Sequence, residues 1–446
     1  MKVWDEFLKH FDKENLKNIY ENHIKLSTAT GIDSMSHKIF EKDLDAHLDV
    51  IISKCTAGNY KFTKYKLKLI SKGRSKAPRE ISIPTIRDRL VLRALCDFLK
   101  SRFEADIDLP LAQKIIESVK NDISSKHYNT FIKLDVSNYY PSIKHNVMLQ
   151  RLRKRVKNPE IINLVESSLK TPTVIVSRKD DKDNERGVPQ GLSVSNILAT
   201  IFLAPIDNKY KKNPNIKYYR YVDDVLILCN SKDATNIKDE VIKSFNRIGL
   251  KIHCPIKVPE KSTIGSLIAD KFSYLGYSFN NSCVSARAGS INKLRESLIA
   301  IFSNHKHSKY SSDEFLLWRL NLRVTGCVFQ GKRKGWLFFF SEINDEPVLH
   351  ELDAFIKKQC NRFGVVIKPK LFVRAFYEIS HKKHTSCYIS NYDNYKTIDM
   401  AKMLATYFGF DTTKMKPSQI KYHFNKKISR QIRDLETDIV DFGYPS

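Results

Sequence analysis

The chain has 446 residues, and its 76 Lys and Arg against 49 Asp and Glu give a formal net charge of +27. This positive excess indicates a polyanionic partner, with nucleic acid ahead of an anionic membrane. No apolar run is long enough to span a bilayer and no signal-peptide pattern opens the chain, so we expect a cytoplasmic protein without a membrane partner. The eight cysteines include no Cys-x-x-Cys pair, which argues against a zinc ribbon or a disulfide framework.

The first hundred residues combine helices with a basic hairpin. Residues 1–26 place apolar side chains at helical spacing. Residues 60–70 alternate Lys with apolar residues, which predicts a strand with one buried and one basic face. The chain turns at 71–76, returns as a strand over 79–84 and continues as a helix over 88–103. A basic hairpin before a helix suits the triphosphate of an incoming nucleotide, and a solvated lysine face explains the pattern equally well.

Two further stretches carry polar groups at the ends of apolar elements. A buried strand over 131–135 ends in Asp135, which is either a helix cap or a metal ligand. The loop 187–196 leads into an apolar helix over 197–206, and Gln190 in this loop is held where a base pair could lie. An ordinary helix N-terminus is the alternative explanation for the loop.

The tetrapeptide Tyr221-Val222-Asp223-Asp224 is the most informative sequence in the chain. Aromatic and β-branched residues flank it on both sides, which predicts two short strands joined by a tight turn. Two adjacent carboxylates at a turn repel each other and gain nothing for the fold. A cation would remove this cost, and Mg²⁺ takes one or two carboxylates plus substrate phosphates. A chance Asp pair on a solvated turn is the alternative.

The order of these motifs resembles the fingers and palm of reverse transcriptases over about residues 30–280. The matches are Asp135 with the motif A aspartate, Gln190-Gly191 with the motif B loop, Tyr221 to Asp224 with the motif C box, Lys261 with the motif D lysine and Tyr274 to Gly276 with the primer grip. The resemblance implies an α+β right-hand polymerase with an antiparallel palm sheet flanked by helices. It implies an N-terminal helical extension at 1–30, fingers and palm at 31–280, and a mainly α-helical thumb and RNA-binding C-terminal extension at 281–446.

The resemblance also implies the chemistry of the site. Two Mg²⁺ ions, for which Mn²⁺ could substitute, would be held by Asp135, Val136, Asp223 and Asp224. Lys261 would act as general acid toward the leaving pyrophosphate. The dNTP would be bound by Lys72, Arg79, Tyr140 and Gln190, with Tyr140 as the steric gate against a ribose 2′-hydroxyl.

Several segments resemble bacterial enzymes of the group II intron and retron lineage. Gly31-Ile32-Asp33 and the stretch 79–89 have this character, and Val324-Thr325-Gly326 resembles a triplet in the thumb of retron enzymes. The Asn-Ala-x-x-His element of retrons is missing, as are a His-Asn-His tail, an RNase H domain and an integrase. The chain, including 331–340, therefore resembles most the stand-alone, defence-associated reverse transcriptases known as the unknown group.

The resemblance implies a polymerase that copies a dedicated, structured non-coding RNA into DNA during antiphage defence. Basic residues interleaved with an aromatic residue suit unpaired RNA, and we expect Lys332, Arg333, Lys334 and Trp336 to bind it. A helical core with a solvated basic face is the alternative for this segment. A retron enzyme making branched RNA–DNA, or a nucleic-acid-binding module with a decayed polymerase site, remain open, as do a homo-oligomer and an accessory defence protein.

Overall fold

The structure is a computed structural model that describes residues 2–25, 27, 29–71, 77–307, 312–382 and 385–436. The helices are α1 (Val3–His10), α2 (Lys13–Ile19), α3 (His37–Phe40), α4 (Leu44–Thr56), α5 (Ile86–Phe103), α6 (Ala112–Ser124), α7 (Tyr139–Ser142), α8 (His145–Arg153), α9 (Pro159–Lys170), α10 (Ser195–Lys211), α11 (Ser231–Arg247), α12 (Ala288–His307), α13 (Asp313–Thr325), α14 (Trp336–Phe339), α15 (Glu346–Phe363), α16 (Phe372–His381), α17 (Thr397–Phe408) and α18 (Pro417–Glu436).

Short strands alternate with these helices. They are β1 (Tyr65–Ile70), β2 (Arg79–Ile83), β3 (Thr130–Ser137), β4 (Thr173–Val174), β5 (Lys217–Tyr221), β6 (Asp224–Cys229), β7 (Lys251–Ile252), β8 (Thr263–Ser266), β9 (Phe272–Tyr274), β10 (Tyr277–Asn280), β11 (Cys283–Ala286), β12 (Cys327–Phe329), β13 (Lys332–Lys334) and β14 (Ser390–Asn391). A π-helical turn covers Tyr20–Ile24, and 3₁₀ turns cover Glu41–Asp43 and Tyr392–Asn394. No described helix is both long enough and apolar enough to cross a lipid bilayer.

The chain packs as two compact units. Among the described residues, the first contains 2–109 and 130–264, and the second contains 110–129 and 265–436. The functional division predicted at residues 30 and 280 stays a prediction.

The first unit is built around a sheet with the strand order β5-β6-β3-β7, and β8 also pairs with β3. The pairing within this order is antiparallel, as predicted. The apolar residues of β6, from Val225 to Cys229, are all fully buried, because the central strand of a sheet is covered on both faces. Helix α10 packs against the sheet with an almost continuous apolar sequence, which explains why it lacks a polar face over most of its length.

A second sheet in this unit contains the basic hairpin. Strands β1 and β2 are antiparallel, and β4 pairs in parallel with β1. The following helix α5 begins at Ile86, two residues before the predicted start, because the side chain of Thr85 accepts a hydrogen bond from the Asp88 backbone N–H and caps it.

The second unit contains two further small sheets and most of the C-terminal helices. Strands β9, β10 and β11 form an antiparallel sheet, and the hairpin of β12 and β13 is extended by β14. A separate apolar core forms around residues such as Leu322, Tyr392, Leu404 and Phe424. The mixture of helices with antiparallel sheets confirms the predicted α+β class.

Candidate active site

Strand pairing brings the three candidate carboxylates together on the neighbouring strands β3 and β6 and the turn before β6. Asp135 on β3 is the direct register partner of Asp224 on β6. The backbone N–H of Val136 donates to the carbonyl oxygen of Asp223 at 3.1 Å. The backbone N–H of Asp135 donates to the Ser262 hydroxyl at 3.0 Å, so the strand end is held from both sides.

The turn between β5 and β6 has an unusual backbone conformation. Val222 has a φ of 55°, in the left-handed region that a β-branched residue rarely adopts. Such a conformation costs on the order of 1–3 kcal/mol and persists only when the surroundings hold it. One restraint is visible: Nη1 of Arg220 donates to the carbonyl oxygen of Val222 at 2.8 Å. The same guanidinium forms a buried ion pair with Asp207 on α10.

Burial and neighbouring negative charge raise the pKa values of Asp223 and Asp224. Burial, together with the charge of Asp135, raises the pKa of Asp223 above its usual range. Burial and the charge of Asp223 raise the pKa of Asp224 to about 7. On the other side, the Lys261 ammonium lies 3.3 Å and His253 Nε2 lies 3.4 Å from Oδ2 of Asp135. Three carboxylates so close together repel one another, and a bound cation would reduce this repulsion.

The chemistry of these residues fits Mg²⁺. In the part of the chain that the structure describes, no group of three or more His, Cys, Asp or Glu side chains already has the arrangement of a metal site. However, Asp135, Asp223 and Asp224 supply the hard oxygen ligands that Mg²⁺ prefers. A bound cation would offset the burial and the neighbouring negative charge that raise the pKa values of Asp223 and Asp224. The side chain of Val136 has no ligating atom, so Val136 could contribute only its backbone carbonyl oxygen.

The residues expected to bind the nucleotide lie in the same unit. Arg79 is the first residue of β2. Burial raises the pKa values of Asp223 and Tyr140, and the positive charge of Arg79 partly opposes this rise. Arg79 therefore lies near both side chains. Tyr140 is half-buried, and its carbonyl oxygen accepts from the N–H of Val188 at 2.9 Å. Lys72 lies outside the described residues.

Gln190 belongs to a loop that packs directly on β2. Its carbonyl oxygen accepts a hydrogen bond from the Ser82 N–H at 2.7 Å. The next residue, Gly191, has a φ of +98°, and a Cβ there would lie 2.7 Å from a methyl carbon of Ile81. A larger residue would therefore push the loop away from the strand, and only glycine permits this approach.

Residues 70–279 match the family model described as reverse transcriptase (RNA-dependent DNA polymerase). These residues form a reverse transcriptase domain. The match confirms the right-hand polymerase class and identifies the domain as one of the RNA-directed DNA polymerase type, a class of nucleotidyltransferase.

The relatives of this reverse transcriptase domain are distant. Protein YkfC of Escherichia coli (strain K12) is 21% identical over 290 residues, which cover 55% of this chain and 74% of YkfC. The putative COX1/OXI3 intron 1 protein of Saccharomyces cerevisiae is 22% identical over 300 residues, or 52% of this chain and 34% of that protein. The chain thus spans only about a third of the yeast protein. These matches leave the defence-associated subgroup a prediction.

Two solved telomerase structures also resemble the chain. Telomerase from Candida albicans in complex with a fragment of telomeric RNA gives a TM-score of 0.46 at 12% identity, covering 92% of this chain and 68% of that one. Apo telomerase from Candida tropicalis gives a TM-score of 0.44 at 14% identity, covering 92% and 71%. Both are weak similarities of fold.

The structure corrects the interpretation of Trp336. Its ring is only 1% exposed, its Nε1–H donates to the Ser290 hydroxyl at 3.1 Å, and Phe340 lies against it at 4.6 Å between ring centroids. A ring enclosed in this way cannot stack on a base, so Trp336 is a core residue. Lys332 is exposed and its neighbours Arg333 and Lys334 are half-buried on β13; their RNA-binding role stays a prediction.

The retron-like triplet also has a structural role. Val324 and Thr325 are buried, and Gly326 passes so close to β13 that a Cβ would lie 2.2 Å from the Lys334 carbonyl oxygen. A Cβ on Gly335 would in turn lie 2.7 Å from Cα of Gly326. The two glycines therefore allow two backbone segments to cross.

Sequence reasoning missed the supporting residues of the reverse transcriptase domain. Arg220 reads as an ordinary strand residue, and Asp207 as a charge on an apolar helix. Ser262 is a small polar residue beside Lys261 and has no sequence signal of its own. No periodicity or spacing links these positions to Asp135 or Val222, because their contacts depend on how distant elements pack.

Proposed function

We propose that the reverse transcriptase domain extends a primer 3′-hydroxyl with dNTPs at a site formed by Asp135, Asp223 and Asp224. The observation that supports this site most directly is the register pairing of Asp135 with Asp224, which brings the carboxylates of two distant strands together. Two Mg²⁺ ions bound there would lower the pKa of the primer hydroxyl and stabilise the leaving pyrophosphate.

The protein's own residues have complementary roles in this proposal. Arg79, at the start of β2, binds the triphosphate and can do so with two parallel hydrogen bonds. The ring of Tyr140 closes the space beside the sugar. Lys261, whose ammonium lies 3.3 Å from Asp135, is close enough to the carboxylates to donate a proton to the departing pyrophosphate.

The experiment is a dNTP-incorporation assay on matched RNA and DNA templates, with Mg²⁺, with Mn²⁺ and with chelator. We expect RNA-templated incorporation that chelation abolishes and that either cation restores. A purified wild-type protein that binds RNA but incorporates no dNTP under any of these conditions would favour the binding module with a decayed site.

We further propose that the template is a dedicated, structured non-coding RNA and that the DNA product acts in antiphage defence. The support is the sequence resemblance to stand-alone, defence-associated enzymes, together with the net charge of +27. Sequencing the nucleic acid that co-purifies with the protein tests the template. Plaque counts on cells that express the wild type or an Asp223→Ala, Asp224→Ala variant test the defence role, and equal counts would contradict it.

A further inference from the structure

In the second unit, helix α18 and the segment before it carry positively charged side chains and no negatively charged ones between Asp411 and Asp434. In this interval the sequence contains seven basic residues: Lys414, Lys416, Lys421, Lys426, Lys427, Arg430 and Arg433.

Buried apolar residues and exposed residues lie on opposite faces of α18. Ile420, Phe424, Ile428 and Ile432 are buried at four-residue intervals in the C-terminal core. The opposite, exposed face presents the residues that we call the α18 stripe: Tyr422, Lys426, Arg430 and Arg433. Their spacing of four, four and three residues keeps them on one side of the helix over a length of about 16 Å.

Two of the stripe's cations, Lys426 and Arg430, differ from the cations of an ordinary solvated helix. Within the described part of the chain, neither Lys426 nor Arg430 forms an ion pair with a carboxylate, and the same holds for Lys414, Lys416 and Lys421. Helix α11 offers the contrast, because Asp239 and Glu240 on it pair with Lys238 and Lys209. Accumulated charge of one sign repels itself unless a polyanion binds to it.

The stripe also exposes an aromatic ring. Tyr422 is 42% exposed, and the Lys426 ammonium lies 5.6 Å from its ring centroid. An accessible ring beside cations is the arrangement on which unpaired bases stack while their phosphates are neutralised. Bases in a duplex are already stacked, so a lone ring favours a single strand.

We propose that the α18 stripe binds an unpaired segment of RNA, with its phosphates on Lys426, Arg430 and Arg433 and one base on Tyr422. The choice of RNA rests on the proposed function, because a polymerase that copies RNA must hold its template. In this proposal Tyr422, and not the buried Trp336, is the ring that stacks on an unpaired base.

The test compares two triple variants of the full-length protein. Lys426→Ser, Arg430→Ser, Arg433→Ser removes the stripe's cations, and Lys232→Ser, Lys243→Ser, Arg247→Ser removes three exposed cations from α11 as a charge-matched control. Binding of a mixed-sequence single-stranded RNA is measured against salt concentration. The log–log slope should decrease in magnitude by roughly 2 for the stripe variant, at about 0.7 per phosphate contact, and stay near the wild-type value for the control.

A second pair of variants isolates the ring. Tyr422→Ala should weaken single-stranded RNA binding about fivefold or more without changing the salt slope, and Tyr422→Phe should bind like the wild type. Circular dichroism and thermal unfolding confirm that each variant is folded. Equal slope changes in both triple variants, or undiminished binding by Tyr422→Ala, would overturn the proposal. So would a loss confined to duplex RNA or to single-stranded DNA of the same sequence.

Incorporation on a short oligo(dT)·poly(rA) substrate separates this proposal from the proposed function. RNA binding is measured without dNTPs, so a loss of binding in the stripe variant is read independently of incorporation by the wild type. If the wild type lacks incorporation and the stripe variant still loses RNA binding, the polymerase proposal fails and the stripe assignment stands.

Discussion

Arg220 and Asp207 form a buried ion pair that is tied directly to the turn bearing the two adjacent aspartates. The guanidinium donates from Nε to Oδ1 of Asp207 at 2.8 Å and from Nη2 to Oδ2 at 2.5 Å, and its Nη1 donates to the Val222 carbonyl. Burial alone would lower the pKa of Arg220, but the adjacent Asp207 carboxylate outweighs this effect and raises that pKa. The left-handed turn is thereby connected to helix α10.

Replacing Arg220 with Lys should impair catalysis more than stability. The ammonium keeps the charge opposite Asp207 but cannot supply the guanidinium's three fixed donors. We expect kcat to fall by roughly ten- to a hundredfold because Asp223 loses its position, with a smaller change in KM for dNTP. Tyr218→Phe is the control, since it removes the 2.9 Å bond from the Tyr218 hydroxyl to Asp207 and keeps the ring and the Arg220 guanidinium. A kcat equal to that of the control would show that Arg220 does not position the turn.

Replacing Asp223 or Asp224 with Asn should abolish incorporation and stabilise the metal-free protein near neutral pH. A carboxyl whose pKa is raised by folding binds its proton more tightly in the folded state. The wild type therefore loses stability as pH rises from the unfolded value of about 4 toward the folded value, about 7 for Asp224. Asn lacks this loss, so its advantage in melting temperature should shrink on acidification to about pH 4. Incorporation near the wild-type rate would contradict the metal-site assignment.

Tyr140→Ala should admit ribonucleotides. Removing the ring opens space for a 2′-hydroxyl, and we expect the preference for dNTP over rNTP in kcat/KM to fall at least about tenfold while dNTP use survives. The neighbouring Tyr139 is fully buried, with its hydroxyl donating to the Ala199 carbonyl at 2.5 Å. Tyr139→Phe should therefore lower stability and leave sugar selection unchanged. Unaltered selection in Tyr140→Ala would mean that another residue is the gate.

Gly326→Ala should destabilise the protein far more than Gly331→Ala. Both glycines have left-handed φ values, +65° and +68°, so each substitution carries a strain of about 1–2 kcal/mol. Nothing lies within 4 Å of a Cβ at Gly331, whereas a Cβ at Gly326 would lie 2.2 Å from the Lys334 carbonyl oxygen. Moving that backbone should add about 1–3 kcal/mol or more, measured by chemical denaturation. Equal losses would remove the structural explanation of the Val324-Thr325-Gly326 triplet.

Local sequence alone determined several strands and turns of the first unit. Alternating and apolar runs predicted the strands around Asp135 and the Asp223-Asp224 pair, because side-chain direction along a strand repeats every two residues. The 187–196 sequence predicted a loop before an apolar helix, and the ordered motifs resembled those of a polymerase. These features depend on residues close together in the chain, so the sequence records them directly.

Only the tertiary structure decided which of these residues meet and which are hidden. The pairing of Asp135 with Asp224, and the buried contact of Arg220 with Asp207, arise from the packing of β3, β6 and α10. Trp336 looked like a base-stacking residue beside cations, but Ser290, 46 positions earlier, and Phe340 enclose its ring. Tyr422 received no particular weight from its sequence and proved exposed. Burial is set by what packs against a residue from elsewhere in the chain, and local periodicity contains no record of that partner.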